Sequence, residues 1–315
     1  KMIILVVDNK SRDLGALTQL AYLLSKSYYK EVVVANSFEI DDLILIFRER
    51  IDLVLFSYLR DANKHQVALA RLNNIKIAVY DQEGANGFDG LGLIKTLKKH
   101  SHLLKLTNGY FFWGRAQLNY ARKILSKKLP RFSTDVGYIR FRINTNYKNI
   151  NINTKKKFVL INSNFALIDP RYSTRQKESQ QVKQINLYGR NHNKFIRNMR
   201  STKEEFIKIV EKIIKENQKI FFVLRPHPYE KSDEYKRLNN LYNNTLFSRE
   251  LNSISWIKRC SLVIHTDCIT SIEAKELNKK SLSLSWLIKD KSLCYKIPYK
   301  SSIKSNNYNE AKKIL

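Results

Sequence analysis

Leu262-Val263-Ile264-His265, Thr266-Asp267-Cys268-Ile269, Thr270-Ser271-Ile272-Glu273-Ala274 reads as a short apolar strand, a polar turn and the opening of a helix. An apolar run this short, closed on both sides by polar residues, fits a strand buried on both faces. Such strands belong to parallel sheets covered by helices. The same unit recurs upstream: Phe158–Asn162 and Ile220–Leu224 read as strands, and Ser201-Thr202-Lys203-Glu204 as a capping box opening a helix with Phe206, Val210, Ile213 and Ile214. Ser253–Lys258 and Thr270–Leu277 are predicted helices, and Leu282–Ser285 a last strand.

Nearer the start, Ile3–Val7, Glu31–Ala35, Leu53–Phe56, Ile75–Tyr80 and Tyr110–Trp113 read as strands. Between them lie a helix with Leu14, Leu17, Ala21 and Leu24 on one stripe, one marked by Ile40, Leu43, Ile44 and Phe47, and one through His65–Leu72. A further helix runs from Arg115 to about Ser126. From Asn144 to Lys157 the rhythm stops in an Asn- and Lys-rich stretch, which reads as a linker. The expectation is therefore α/β: two doubly wound, Rossmann-like domains, 1–145 and 156–315, facing a central cleft.

A chain of 315 residues can bury two cores of ordinary size, and 43% hydrophobic residues argue against disorder. No apolar run approaches the roughly 20 residues needed to span a bilayer. Lys1-Met2-Ile3-Ile4-Leu5 leads straight into a strand without a small-residue cleavage site, so no signal peptide is expected. Cys260, Cys268 and Cys294 form neither a disulfide framework nor a zinc motif and suit a reducing, cytoplasmic setting. The net charge of +29 suggests anionic partners. A nucleic-acid-binding reading lacks an RNP-like box, a zinc knuckle or an arginine block interleaved with aromatics, so no nucleic acid is expected.

Nine glycines are present and none follows Gly189, so neither GxGxxG nor a Walker loop can cradle a phosphate in the second half. The sequence offers instead the helix start at Thr270 and Ser271, where free N–H groups and hydroxyls favour an anion, with Glu273 placed to accept from a ribose diol. Arg225-Pro226-His227-Pro228 follows a strand, where open α/β sheets bind ligands. There His227 could neutralise or protonate a departing phosphate and Arg225 pair with its oxygens. Tyr80-Asp81-Gln82-Glu83-Gly84-Ala85 sets Asp81 and Glu83 at a strand tip in the first half, as base or nucleophile candidates, with Asp8 a weaker one. Asn162 and Asn164 could line the cleft floor. No histidine or carboxylate spacing suggests a metal.

Taken in order, Asp81-Gln82-Glu83-Gly84, Gly109–Gly114, Ile161-Asn162-Ser163-Asn164-Phe165, Arg225-Pro226-His227-Pro228 and Ile264-His265-Thr266 with Thr270-Ser271-Ile272-Glu273-Ala274 resemble bacterial surface carbohydrate biosynthesis proteins. The resemblance extends from about Ile3 to about Leu287. It implies a GT-B glycosyltransferase related to enzymes using CMP-activated ulosonic acids such as Kdo, with no cofactor or metal beyond the donor. In that family a His-Pro pair and a Ser/Thr turn hold the CMP phosphate, which maps onto His227, Pro228, Thr270 and Ser271. Arg225, His265 and Glu273 complete the expected nucleotide set, and Glu83, rather than Asp81, is the expected catalytic carboxylate. A neutral turn is expected where Thr266-Asp267-Cys268 stands, so Asp267 should point away from phosphate. The implied partners are a nucleotide-sugar donor and a glycan or lipid-linked acceptor, with the basic surface meeting the anionic inner face of the cytoplasmic membrane. Similarity also extends to CDP-glycerol glycerophosphotransferases and to sugar-nucleotide epimerases of the same fold.

Overall fold

The computed structural model describes residues 1–28, 31–84, 92–142, 157–184, 191–250 and 252–315. The stretch read as a linker lies almost wholly outside them, as do Ala85 and Gly87 of the acidic loop. The described residues fall into two compact units, one carrying every element before residue 143 and the other every element from 157 onward.

The first unit is built on β1 (Met2–Val7), β2 (Glu31–Asn36), β3 (Ile51–Phe56), β4 (Lys76–Tyr80), β5 (Gly109–Phe112) and β6 (Phe132–Asp135). They form one sheet in the order β2-β1-β3-β4-β5-β6, with every pairing parallel. All of β1 is buried, Ile4 and Val6 on one face and Ile3, Leu5 and Val7 on the other. A strand covered on both faces cannot alternate apolar with polar, which is why it reads as a continuous apolar run.

The second unit uses β7 (Phe158–Asn162), β8 (Phe221–Arg225), β9 (Thr245–Phe247), β10 (Leu262–His265), β11 (Lys280–Ser283) and β12 (Ile303–Lys304). Their order is β12-β11-β10-β7-β8-β9, again wholly parallel. Numbered within the unit and read from its other edge this is 3-2-1-4-5-6, the dinucleotide-binding order, whose topological switch lies between β7 and β10. Both units are thus Rossmann-like, as the alternation predicts.

Side-chain alternation sorts the second sheet into two faces. Val159 and Ile161 pack with Phe206, Val210 and Ile213, while Phe158 and Leu160 pack with Trp256, Ile257 and Ala274. Each fully buried side chain of this kind contributes about 1.5–3 kcal/mol relative to exposure.

The predicted capping box at Ser201 is a misreading. The helix spans His192–Glu216, so Ser201-Thr202-Lys203-Glu204 sits in its middle. The Thr202 hydroxyl donates to the Asn198 carbonyl at 2.7 Å, a back-bond within the helix that leaves no need to cap. Phe195 and Ile196, buried one turn and more upstream, extend the apolar stripe across the polar tetrad.

Candidate functional site

Register places the strand-end residues of the second unit in one transverse row. Asn162 pairs with Arg225 across β7 and β8, and Ile264 pairs with Ile161, which sets His265 beside Asn162 on the other side. Alternation puts Asn162, Arg225 and His265 all on the face of Leu160, Val223 and Val263. Neighbouring strands are about 4.8 Å apart, so the row spans roughly 10 Å at the switch point where such sheets bind ligands. All three are buried. Both amide atoms of Asn162 are buried with no hydrogen-bond partner among the described residues, and the buried Thr270 hydroxyl meets only the weakly bonding Cys268 thiol. A buried polar group left unsatisfied costs about 1–3 kcal/mol, so a bound polar ligand has something to relieve here.

The loop after β8 is held from three sides. Glu230, wholly buried, accepts from the Ser163 hydroxyl (2.8 Å), the Phe165 N–H (2.9 Å) and the Tyr235 hydroxyl (2.7 Å). It thereby ties the loop after β7 to the loop after β8. Burial raises its pKa, against the pull of those donors. Arg249, beyond β9, donates to the Pro228 carbonyl at 2.7 Å and to that of Glu230. The Arg171 N–H donates to the Tyr229 carbonyl at 2.7 Å beside a Pro170–Glu230 bridge. The outcome is a rigid Pro226-His227-Pro228 turn, with His227 half-buried and its Nδ1 accepting the Tyr229 N–H at 3.3 Å. In the neutral ring the proton therefore sits on Nε2. Asn164 lies at the mouth of the β7 loop, half-buried.

The turn after β10 departs from expectation. His265 is fully buried, its Nδ1 accepting the Cys268 N–H (3.3 Å) and its Nε2 meeting the Ser302 hydroxyl (2.9 Å). Burial lowers its pKa to about 3, so it stays neutral and braces the turn; it offers a phosphate no positive charge. Ser271, also fully buried, donates its hydroxyl to the Cys268 carbonyl at 2.9 Å. The N–H groups of Ser271 and Ile272 bond to the carbonyls of Cys268 and Ile269, so the helix start is not an open anion cradle. That leaves Thr270 as the more weakly committed member of the pair, its hydroxyl against the Cys268 thiol. Glu273 accepts from the Ser253 hydroxyl at 2.5 Å, which ties the Thr270–Glu276 helix to Ser253–Arg259. Asp267 accepts the Tyr295 N–H at 2.7 Å, and burial raises its pKa to about 7.

The first unit gathers a separate ionic cluster at its own switch point, between β1 and β3, and beyond β4. Glu83 faces two guanidiniums, Arg12 at 2.6 Å and Arg60 at 2.9 Å. Arg12 also binds Asp8 at 2.9 Å and the buried Asp13 at 2.5 Å. Burial works against the Arg12 charge, but the Asp13 hydrogen bond and the fields of Glu83, Asp13 and Asp8 outweigh it and raise its pKa. Asp81, 2% exposed, accepts the Glu83 N–H at 2.8 Å. Burial raises its pKa despite the opposing field of Arg60. Trp113 donates its indole N–H to the Asp81 carbonyl at 2.7 Å and lies so close over Gly84 that an added Cβ would sit 2.9 Å from the ring. Glycine at 84 is a matter of space: it lets the loop lie against the indole. For Glu83 to take a proton or attack a carbon, a guanidinium must first move. Arg12, Arg60, Glu230 and Arg249 were not anticipated from sequence; Arg12, four residues after Asp8 at a strand-to-helix turn, carried the only local signal.

No protein-family model matches the chain, and no curated protein matches it. Among solved structures it is similar to S. aureus MnaA in its UDP co-structure, at 13% identity and TM-score 0.58, over 90% of this chain and 79% of that one. It is similar to UDP-GlcNAc 2-epimerase from Methanocaldococcus jannaschii at 11% identity and TM-score 0.59, over 99% and 91%. The wall teichoic acid polymerase TagF, soaked with CDPG, matches at 11% identity and TM-score 0.59, over 100% and 78%. At such identities the likeness is one of fold, and the fold is GT-B.

Proposed function

We propose that this chain is a nucleotide-sugar-dependent glycosyltransferase of surface carbohydrate biosynthesis. The observation that carries the reading is the buried row at the switch point of the second sheet, where the Asn162 amide lacks a partner beside Arg225 and Thr270 opens the helix after the neighbouring β10. An arginine, an amide and a hydroxyl at one sheet edge suit the oxygens of a nucleotide's phosphates. His227, on its braced turn, stabilises charge on the leaving nucleotide, and Glu83 supplies the catalytic carboxylate once released from Arg12 or Arg60. Transfer of an ulosonic acid such as Kdo from a CMP-sugar is the finer form of the proposal and rests on the sequence resemblance alone. A glycan or lipid-linked acceptor, and attachment to an anionic membrane surface through the +29 charge, belong to the same proposal. Among the described residues no helix is long and apolar enough to cross a membrane.

A second reading, sugar-nucleotide epimerase, is favoured by the UDP-GlcNAc 2-epimerases among the similar structures. Incubation with CMP-Kdo, UDP-GlcNAc and CDP-glycerol, with and without glycan acceptors, separates the two. A transferase releases nucleotide faster when acceptor is present, whereas an epimerase interconverts the sugar nucleotide with no acceptor. Loss of turnover in His227→Ala and Glu83→Gln, each with unchanged stability, is expected at about 100-fold or more. Full activity in either variant removes the role assigned to that residue.

A further inference from the structure

A cavity of about 260 Å³ opens in the second unit between the loop after β7, the helix His192–Glu216 and the segment around Ile288 to Tyr295. Its walls mix apolar side chains, Phe165, Phe195, Met199 and Leu293 among them, with the amides of Asn164 and Asn198, and its charged lining residues are both acidic, Asp267 and Glu178. In a chain with a net charge of +29, a cavity whose described lining holds carboxylates and no lysine or arginine runs against the average. One oxygen of Asp267 accepts the Tyr295 N–H; the other is buried with no partner among the described residues. Three lysines within two residues of the cavity wall are engaged elsewhere, Lys194 by Asp290, Lys203 by Asp169 and Lys291 by the Ser285 carbonyl. A desolvated carboxylate without a counter-ion is costly, and a ligand's positive charge would relieve it.

We propose that this cavity binds an organic ammonium ion carried on a compact body of monosaccharide size, with Asp267 and Glu178 as its counter-charges. The volume lies at the small end of ligand pockets, about 300–1,000 Å³. Walls of mixed apolar and amide character suit a carbon body with polar substituents, whereas a hard divalent ion asks for about six or more oxygen ligands. Among the described residues no group of three or more His, Cys, Asp or Glu gathers to supply them. The cavity neighbours the nucleotide site without sharing its row: Asn164, Thr266 and Asp267 line it from the loops after β7 and β10, while Phe165 and Phe195 pack on one face of the sheet and Asn162 and Arg225 alternate onto the other.

The test is calorimetric titration at pH 8 with glucosamine and cyclohexylamine, each against its neutral counterpart, N-acetylglucosamine and cyclohexanol. Expected is at least tenfold tighter binding of one ammonium probe than of its counterpart, a preference abolished by Asp267→Asn and weakened at least threefold by Glu178→Gln. Glucosamine as the tighter amine marks an amino sugar as the natural ligand class; cyclohexylamine marks a lipophilic amine. Asp267→Asn removes a buried charge at constant size, so the variant folds. Counterparts that bind within twofold, a preference that survives Asp267→Asn, binding of magnesium in place of the amines, or no binding by any probe each overturns the proposal.

Discussion

Replacing Glu230 by alanine tests whether a single buried carboxylate holds the candidate site together. The side chain accepts three hydrogen bonds, from Ser163, Phe165 and Tyr235, at 2.7–2.9 Å. Hydrogen bonds to a charged acceptor are each worth about 1.5–3 kcal/mol, so the gross loss is about 4–6 kcal/mol after allowing for partial rescue by water. Removing a fully buried carboxylate also removes its desolvation penalty, and we set that relief at about 2 kcal/mol. The net expectation is destabilisation of about 3 kcal/mol, or about 6–12 °C in Tm for a unit of this size. Glu230→Gln keeps an oxygen for the Phe165 and Ser163 donors and sets its amide against the Tyr235 hydroxyl, which can accept; it is expected to cost about 1 kcal/mol. Urea denaturation with an unchanged slope reads both numbers. If Glu230→Ala costs under about 1 kcal/mol, or the glutamine variant is as damaged as the alanine one, the bracing role is wrong.

Asp267 and His265 pull stability in opposite directions with pH. The Asp267 pKa is raised to about 7, so its contribution is present below its unfolded pKa and lost as pH climbs through 7. The His265 pKa is lowered to about 3, so its contribution is present above the unfolded value and lost as pH falls. Their slopes offset each other between about pH 4 and 6.5 in the native protein. Asp267→Asn exposes the histidine slope, and its stability relative to the native chain should improve by about 4 kcal/mol from pH 4 to 8, read by urea denaturation at each pH. Gly84→Ala drives a methyl into the Trp113 ring and is expected to cost about 1–3 kcal/mol with altered indole fluorescence; an unperturbed emission and Tm would show that the loop moves freely.

The strands that sort into buried faces were legible because continuous apolar runs such as Ile3–Val7 and Leu262–His265 leave few alternatives. The edge strands were not. β6 is Phe-Ser-Thr-Asp with an exposed phenylalanine, and β12 has only two residues, so neither carries a periodic signal. Position along a strand was enough to place Asn162 and Arg225 at the sheet edge, since register follows from parallel pairing. It could not tell that His265 and Ser271 face inward, because that depends on Ser302 and on the Cys268 carbonyl. Glu230 was invisible for the same reason: its partners lie 67, 65 and 5 residues away.

The central claim is that Asn162 and Arg225 of the row, with Thr270 at the helix start beyond β10, grip a nucleotide's phosphates, and Thr270→Val tests it. Valine keeps the shape and removes a buried hydroxyl that meets only the Cys268 thiol, so the stability of the ligand-free protein should change by less than about 1 kcal/mol. Titration of CDP, UDP, CMP and GDP should find at least one that binds the native chain, with affinity reduced about tenfold, or about 1.4 kcal/mol, in the variant. Failure of all four nucleotides to bind, or equal affinity in the native and valine proteins, would contradict the account.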